Sequence, residues 1–256
     1  MRIAVKVGTS TLTYATGNLN IRHIETLCNV ISDLKNAGNE IMLISSGAIG
    51  MGVGKLGLLK KPDDMPTKQA AAAVGQCELM YTYDRQFSEY GHTVAQILLT
   101  GDDLRDSERS LNFRNTMDRL FEMNVLPVIN ENDTVSTDEI SVGDNDTLAA
   151  IVSADAKADI LILLTDIDGL YTADPKVDPT ATVIKKVEKL TDDILSLGKG
   201  SGSMLGTGGM QTKLCAAKIC MDNGIDMVIA NGSNPHVLYD IIDKKPVGTL
   251  FVGGNK

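Results

Sequence analysis

The chain has no excess of positive charge, and this absence excludes several kinds of partner. Its 24 lysines and arginines are outnumbered by 33 aspartates and glutamates, which gives a formal net charge of -9. Nonspecific binding to nucleic acid or to an anionic membrane depends on clustered positive charge. We therefore expect neither a nucleic acid nor a membrane partner, and small-molecule ligands instead.

Long apolar runs are also absent. Residues 160–164 form one of the longest, with Asp159 and Asp166 close to its two ends, whereas a helix that crosses a bilayer needs about 20 apolar residues. Residues 1–7 do not contain the extended apolar region of a signal peptide. The expected location is the cytoplasm.

Signatures of metal and nucleophile chemistry are missing too. The four cysteines contain no CxxC pair, the three histidines have no metal-ligand spacing, and no GxSxG elbow or EF-hand spacing occurs. The sequence therefore predicts no metal ligands, reduced cysteine thiols and structural histidines. The residues concerned are Cys28, Cys77, Cys215, Cys220, His23, His92 and His236.

An alternation of short apolar strands with amphipathic helices runs along the whole chain. Such a pattern predicts an α/β protein, a three-layer sandwich whose mostly parallel central sheet is covered by helices on both faces. Ligands of such sheets bind at the carboxyl ends of the strands. Strands are predicted at 3–7, 40–44, 93–99, 125–129, 159–164, 226–229 and 248–252, and helices at 21–37, 68–90, 109–123, 146–157, 209–223 and 235–242.

Two segments together are typical of a phosphate-transfer site. Residues 142–147 gather carboxylates and amides where a loop leads into a helix, and residues 202–213 place glycines and Lys213 at a second helix start. Free backbone N–H groups and the helix dipole favour an anion there. The alternative for the second segment is a flexible surface loop, since the Walker pattern GxxxxGK[ST] is absent.

Three further segments follow predicted strands. Lys6 interrupts an apolar strand just before Gly8, either as a solvated edge residue or as a cation beside phosphate-binding amides. Residues 45–50 form either a tight turn or a cradle for a substrate carboxylate. The polar loop 130–145 is long for an ordinary connection; its members are single caps and Asx-turns, or together a ligand site.

Seven motifs in collinear order closely resemble the glutamate 5-kinases of the amino-acid kinase family, and the resemblance covers nearly the full chain. It implies the amino-acid kinase fold and ATP-dependent phosphorylation of the side-chain carboxylate of L-glutamate, with Mg²⁺, as the first step toward proline. The motifs are 5–10 (Val-Lys-Val-Gly-Thr-Ser), 45–49 (Ser-Ser-Gly-Ala-Ile), 127–133 (Pro-Val-Ile-Asn-Glu-Asn-Asp), 142–146 (Val-Gly-Asp-Asn-Asp), 163–166 (Leu-Leu-Thr-Asp), 169–175 (Gly-Leu-Tyr-Thr-Ala-Asp-Pro) and 206–213 (Gly-Thr-Gly-Gly-Met-Gln-Thr-Lys).

The same resemblance assigns roles by position. Lys6 and Lys213 are expected to stabilise the transferring phosphoryl group, and Asp146 to orient them. Tyr171, Asp174 and Pro175 are secondary candidates near the base or ribose. The expected glutamate-binding residues are Ser46, Asp133 and Asn145, and the expected nucleotide-binding residues are Lys6, Thr165, Asp166, Thr207, Gly208, Gly209, Met210, Gln211, Thr212 and Lys213.

The resemblance also implies an organisation and regulation. We expect one amino-acid kinase domain over 1–256, with a glutamate-binding part at about 1–157, a nucleotide-binding part at about 158–256 and no additional C-terminal domain. A homo-oligomer, dimer or tetramer, and feedback inhibition by L-proline near the 130–145 loop are further expectations. The rival functions are another amino-acid or small-acid kinase, such as an aspartate or acetylglutamate kinase, and a noncatalytic nucleotide- and proline-binding sensor.

Overall fold

A computed structural model describes residues 1–14, 18–60, 62–135, 145–198 and 209–254. Helices and strands alternate through these residues. In chain order they are β1 (Arg2–Val7), α1 (Thr9–Leu12), α2 (Ile21–Asn36), β2 (Glu40–Ser45), α3 (Ala48–Lys55), α4 (Met65–Ser88), β3 (Val94–Leu99), α5 (Gly101–Arg105), α6 (Ser107–Glu122), β4 (Leu126–Glu131), α7 (Asn145–Asp155), β5 (Ile160–Thr165), β6 (Lys186–Val187), α8 (Asp192–Ser196), α9 (Met210–Asp222), β7 (Asp226–Asn231), α10 (Val237–Ile242) and β8 (Thr249–Phe251).

The strands form one eight-stranded sheet in the order β3-β4-β2-β1-β5-β7-β8-β6. All neighbouring pairs are parallel except β7 and β8, which are antiparallel. β1 lies between β2 and β5, with Val7 opposite both Ser45 and Leu164. The carboxyl ends of these three strands therefore meet at one edge, and the predicted mostly parallel α/β sheet is confirmed.

Helices cover both faces of this sheet, each over its own hydrophobic core. On β1, Ala4 belongs to the core beneath α6, α7 and α9, whereas Ile3 and Val5 belong to the core beneath α2, α4 and α10. Alternate residues of a strand point to opposite faces. Lys6 is two residues from Ala4, so its side chain lies on the α7 and α9 face.

Short helices α1, α5 and α8 were not predicted, and α3 begins within residues 45–50, where the sequence indicated a helix start but not its extent. Two predicted helices also begin earlier than expected, because an aspartate caps each of them. Asp64 accepts a hydrogen bond from the Thr67 N–H, so α4 begins at Met65, and Asp106 accepts one from the Arg109 N–H. The N-cap side chain satisfies an N–H group that the helix itself leaves unpaired.

Helices α3 and α4 pack with their backbones in contact, and glycine makes this approach possible. A Cβ added at Gly75 would lie 1.8 Å from the carbonyl oxygen of Ala48, and one added at Gly52 would lie 1.8 Å from that of Ala71. These two glycines therefore allow α4 to pack directly against α3, the helix that follows β2.

All four cysteines are free thiols, as predicted; Cys28 and Cys220 are buried, whereas Cys77 and Cys215 are exposed. Throughout the part of the chain that the structure describes, no helix combines the length and the apolar character required to span a bilayer.

Candidate active site

Lys6 is not an edge residue. It lies on β1, which has a strand on each side, and only 8% of the residue is exposed. The reading of Lys6 as a solvated edge residue is therefore wrong. A buried lysine needs a counter-charge, because burial without one is costly.

Asp146 supplies that counter-charge and shares it with a second lysine. Its Oδ1 lies 2.5 Å from Lys6 Nζ, and its Oδ2 accepts a hydrogen bond from Lys213 Nζ at 2.9 Å. Asp146 is the second residue of α7, and Lys213 is in the first turn of α9. Three distant segments of the sequence thus meet in one buried cluster, the lysine–aspartate triad of Lys6, Asp146 and Lys213.

The triad keeps its carboxylate ionised. Burial raises the pKa of the Asp146 carboxyl, but the adjacent ammonium groups of Lys6 and Lys213 outweigh that effect and hold its pKa below the usual value of 3.8. Within the triad itself two ammonium groups face one carboxylate, so these three side chains together carry one positive charge. An excess positive charge in a poorly solvated corner attracts an anionic ligand.

Three helices that start near the triad have glycine as N-cap. Gly8, Gly47 and Gly209 precede α1, α3 and α9, and in each case no N-cap side chain caps the helix. Side chains cap helices α2, α4, α5, α6 and α8, whereas α10 has His236 as N-cap and also lacks a side-chain cap. The uncapped first-turn N–H groups are suited to bind the oxygens of a phosphate or carboxylate.

A chain of buried amides connects the ends of β2 and β4 to α7. Asn145 Nδ2 donates to Ser46 Oγ at 2.6 Å and to Asn130 Oδ1 at 3.1 Å. Asn130 Nδ2 in turn donates to Gln76 Oε1 on α4 at 2.9 Å. Ser46 and Asn145 therefore lie side by side.

The other predicted acceptor residue, Asp133, lies half-buried in the turn that follows β4. Asn130 and Gln76 were not among the predicted site residues. Asn130 lies in the polar loop that the sequence analysis singled out. Gln76 is a polar residue within the buried face of α4, between Ala72 and Leu79, and that position is the signal that was available for finding it.

Two predicted nucleotide-binding residues, Thr165 and Asp166, lie at the end of β5, next to the end of β7. The Thr165 carbonyl accepts from the Gly232 N–H at 2.7 Å, and the Thr165 hydroxyl donates to the exposed Asp166 carboxylate at 3.1 Å. Nearby, Asp168 accepts from the Tyr171 hydroxyl at 3.1 Å and from Asn231 Nδ2 at 2.8 Å. These contacts form a polar group on the β5 side of the triad.

The remaining predictions divide between α9 and its preceding loop. Gly209 caps α9, the Thr212 hydroxyl donates to the Gly209 carbonyl at 2.7 Å, and Gln211 is exposed. The Met210 side chain packs into the core beneath α9. Thr207 and Gly208 lie outside the described residues, and so do residues 142–144 of the predicted motif 142–147. Asp174 lies half-buried and Pro175 exposed after Tyr171.

The sequence of the chain is similar to those of known proteins. Residues 1–231 match the model of the amino acid kinase family. The chain is 56% identical over 249 residues to the glutamate 5-kinase of Clostridium tetani, which covers 97% of this chain and 93% of the relative. It is 53% identical to the glutamate 5-kinase of Clostridium perfringens, over 98% of this chain and 95% of the relative.

Solved structures share the fold at low sequence identity. A carbamate kinase from Giardia lamblia bound to AMP-PNP superposes with a TM-score of 0.71 at 16% identity, covering 99% of this chain and 98% of that one. An isopentenyl phosphate kinase from T. acidophilum gives 0.68 at 18% identity, covering 98% and 100%. With the family model matching most of its length and close relatives matching nearly all of it, the chain belongs to the amino acid kinase family, in the branch of the glutamate 5-kinases.

Proposed function

We propose that this chain transfers the γ-phosphoryl group of ATP to the side-chain carboxylate of L-glutamate, giving γ-L-glutamyl 5-phosphate, the first step of proline biosynthesis. The observation that carries the proposal is the lysine–aspartate triad, set among glycine-capped helix starts. The glutamate 5-kinase relatives support the choice of acceptor.

The reaction needs positioning and charge neutralisation rather than proton transfer. A glutamate side chain has a pKa near 4.3, so the nucleophile is already ionised at neutral pH. One carboxylate oxygen forms a bond to the γ-phosphorus while the bond to the β,γ-bridging oxygen breaks, and ADP leaves with that electron pair. The main barrier is the electrostatic repulsion between the glutamate carboxylate and the γ-phosphate of ATP, which are both negatively charged.

The ammonium groups of the triad would reduce this repulsion. Lys6 and Lys213 are held by Asp146 on either side of one carboxylate, so their ammonium groups need no reorganisation when charge develops on the transferring group. Such preorganised cations stabilise a phosphoryl-transfer transition state. In this proposal Lys6 and Lys213 are the catalytic residues, and Asp146 orients them.

Two neighbouring parts of the edge provide the two substrate sites. We assign glutamate to Ser46, Asp133 and Asn145, within a part at about 1–157. We assign ATP to Thr165, Asp166 and the start of α9, within a part at about 158–256, together with Lys6 from β1. Met210 would contribute its backbone N–H, since its side chain belongs to the core.

Magnesium is assigned to the phosphates of ATP. No group of three histidine, cysteine or acidic side chains suited to a metal occurs among the described residues, and both oxygens of Asp146 contact lysines. Magnesium in kinases is commonly held by substrate phosphates, water and one or two carboxylates. Bound there, it would neutralise part of the phosphate charge.

Cytoplasmic residence, a homo-oligomer and inhibition by L-proline complete the proposal. Exposed leucines 56, 58 and 59 after α3 and exposed Tyr81 on α4 support association between copies. L-proline shares the α-carboxylate of glutamate and carries a secondary α-ammonium within its ring but has no side-chain carboxylate, so we assign it to the acceptor site, where it would raise the KM for glutamate. Sedimentation and inhibition kinetics test these two points.

The deciding experiment measures ADP release with ATP, magnesium and L-glutamate, with hydroxylamine present to trap an acyl phosphate as its hydroxamate. L-aspartate and N-acetylglutamate run in parallel. Glutamate-dependent ADP together with hydroxamate is the expected result. Turnover with another acid only would overturn the acceptor, and ATP binding without turnover on any acid would indicate a sensor.

A further inference from the structure

Gln76 occupies an unusual position for a glutamine. It lies in the middle of α4 with 6% of its surface exposed, and its Oε1 accepts the hydrogen bond from Asn130 Nδ2 at 2.9 Å. Its Nε2 is buried and has no hydrogen-bond partner among the described residues. A buried donor without a partner is uncommon, and one explanation is a group that arrives with a ligand.

The direction of the neighbouring amides follows from one backbone group. The Glu131 N–H donates to Asn130 Oδ1 at 2.9 Å, and a backbone N–H is a donor only. The oxygen of Asn130 must therefore face Glu131, which leaves its Nδ2 facing α4. The carboxamide of Gln76 is then oriented with its oxygen toward Asn130, because a donor requires an acceptor.

The orientation of the Asn130 carboxamide also determines the hydrogen bonds of the predicted glutamate-binding residues Asn145 and Ser46. Asn145 Nδ2 donates to Asn130 Oδ1 and to Ser46 Oγ. These bonds use neither the Asn145 carboxamide oxygen nor the hydroxyl hydrogen of Ser46. The first is an acceptor suited to an ammonium, and the second is a donor suited to a carboxylate.

Helix α4 is built to hold this arrangement in place. Seven residues after Gln76, the buried Tyr83 hydroxyl is hydrogen bonded to the Ser45 hydroxyl at 2.8 Å, so α4 contacts the ends of both β4 and β2. The backbone contact at Gly75 fixes α4 against α3. Gln76 is thus on a rigid element directly behind Asn130.

We propose that Gln76 is a positioning residue for the amino-acid end of the acceptor. By accepting from Asn130 it fixes the orientation of Asn130, and through Asn130 that of Asn145 and Ser46, which would receive the α-ammonium and α-carboxylate of an amino acid. The inference deepens the proposed function and rests on it. Gln76 does not take part in phosphoryl transfer.

The test is a double-substitution cycle on kinetic constants. Gln76→Met keeps the length of the side chain and removes its carboxamide; it leaves the Asn130 donor unsatisfied and is expected to raise the KM for glutamate roughly tenfold. The KM for ATP should change less than about twofold, since the triad is untouched. In an Asn130→Ala background, Gln76→Met should add little, because the path through Asn130 is already lost.

Gln86→Met on the same helix is the matched control, because Gln86 lies about 15 Å along α4 by the rise of 1.5 Å per residue. It should leave both constants unchanged. Should Gln76→Met fail to fold, Gln76→Asn shortens the side chain and tests the same contact with an amide.

The inference is overturned if Gln76→Met raises the KM for glutamate and the KM for ATP alike, or leaves both unchanged. It is also overturned if the effects of Gln76→Met and Asn130→Ala on the KM for glutamate multiply in the double variant. Wild-type chain without glutamate-dependent turnover overturns the proposed function instead, and this inference with it.

Discussion

At the scale of single residues, the lysine–aspartate triad has an unbalanced charge. Two ammonium groups share one carboxylate, and all three side chains are at least 90% buried. Removing either lysine leaves a neutral pair, whereas removing the aspartate charge leaves two buried cations facing each other. Substitution of either lysine should therefore affect catalysis more than stability, whereas removal of the Asp146 charge should affect both.

Lys6→Met and Lys213→Met are expected to lower kcat by roughly 10²-fold or more, as for the loss of one preorganised stabiliser. Neither should destabilise the fold much, since Asp146 keeps one partner. Asp146→Asn should lower kcat as well, and should also reduce the free energy of unfolding by about 3 kcal/mol, the cost of leaving buried charge uncompensated. Steady-state kinetics and urea denaturation of the three variants measure both effects.

Lys218→Met is the control, because Lys218 is an exposed residue of α9 that pairs with Asp222 at 2.8 Å. It should change neither quantity appreciably. Equal loss of stability in all three triad variants would contradict the charge argument, and near-normal kcat in either lysine variant would contradict its catalytic role.

The family resemblance named the members of the triad and implied that Asp146 orients both lysines, but the sequence did not give the geometry of their contacts. Lys6 was ambiguous because a strand sequence does not reveal whether the strand has one neighbour or two. Gln76 was missed because one polar residue on a helix face has no motif, and its significance comes from Asn130, which is 54 residues away in the chain.

At the scale of helices and strands, helix starts differ in whether a side chain caps them. Aspartate, asparagine or threonine side chains cap α2, α4, α5, α6 and α8. Gly209, the N-cap of α9, has no side chain that could do so. An N-cap carboxylate would occupy the place that a phosphate is proposed to take.

Gly209→Asp is therefore expected to stabilise the protein and weaken ATP binding together. The backbone of Gly209 is extended, with φ of -77°, so aspartate fits without strain. It should add about 1 kcal/mol to the free energy of unfolding, and should raise the KM for ATP roughly tenfold or more through like-charge repulsion. Denaturation and initial rates at varied ATP measure the two quantities.

Asp64→Ala is the opposite control. It removes the cap of α4 and should lower the free energy of unfolding with no change in the KM for ATP. Unchanged ATP kinetics in Gly209→Asp would mean that the start of α9 does not bind the phosphates.

The predicted elements were those long or apolar enough to show periodicity. α1, α5 and α8 have four or five residues, too few for a helical repeat to appear in the sequence. α3 has three glycines in eight residues, a composition that opposes helix formation. Its stability comes from backbone contact with α4, which only the folded chain provides.

At the scale of the whole molecule, the order of the strands creates the site. β1 and β5 are adjacent although more than 150 residues separate their pairs, such as Ile3 and Ile160. The sequence predicted a parallel sheet and ligands at its carboxyl edge, because buried strands alternate with helices. It did not predict the strand order, since that depends on how helices pack across both faces.

Two histidines make the stability of the whole molecule depend on pH. His23 and His92 are each 7% exposed, and burial lowers the pKa of both below the usual value of 6.5. For His92, burial outweighs the contact of its Nε2 with the Ser32 carbonyl at 3.4 Å, which on its own raises the pKa. The unfolded chain binds protons at a higher pH than the folded chain does.

The contribution of the two histidines to the free energy of unfolding should therefore be fully present above pH 6.5. It should decrease as the pH falls below that value toward their lowered pKa values. Asp146 does not contribute to this slope above about pH 5, because its carboxylate is ionised in both states there. Urea denaturation at about pH 7.5 and about pH 5.5 should show a smaller loss of stability in His92→Gln than in the wild-type chain. His236→Gln, at an exposed position, should retain the wild-type slope. If His92→Gln loses as much stability on acidification as the wild-type chain, His92 is protonated in the folded state and the burial argument fails for that residue.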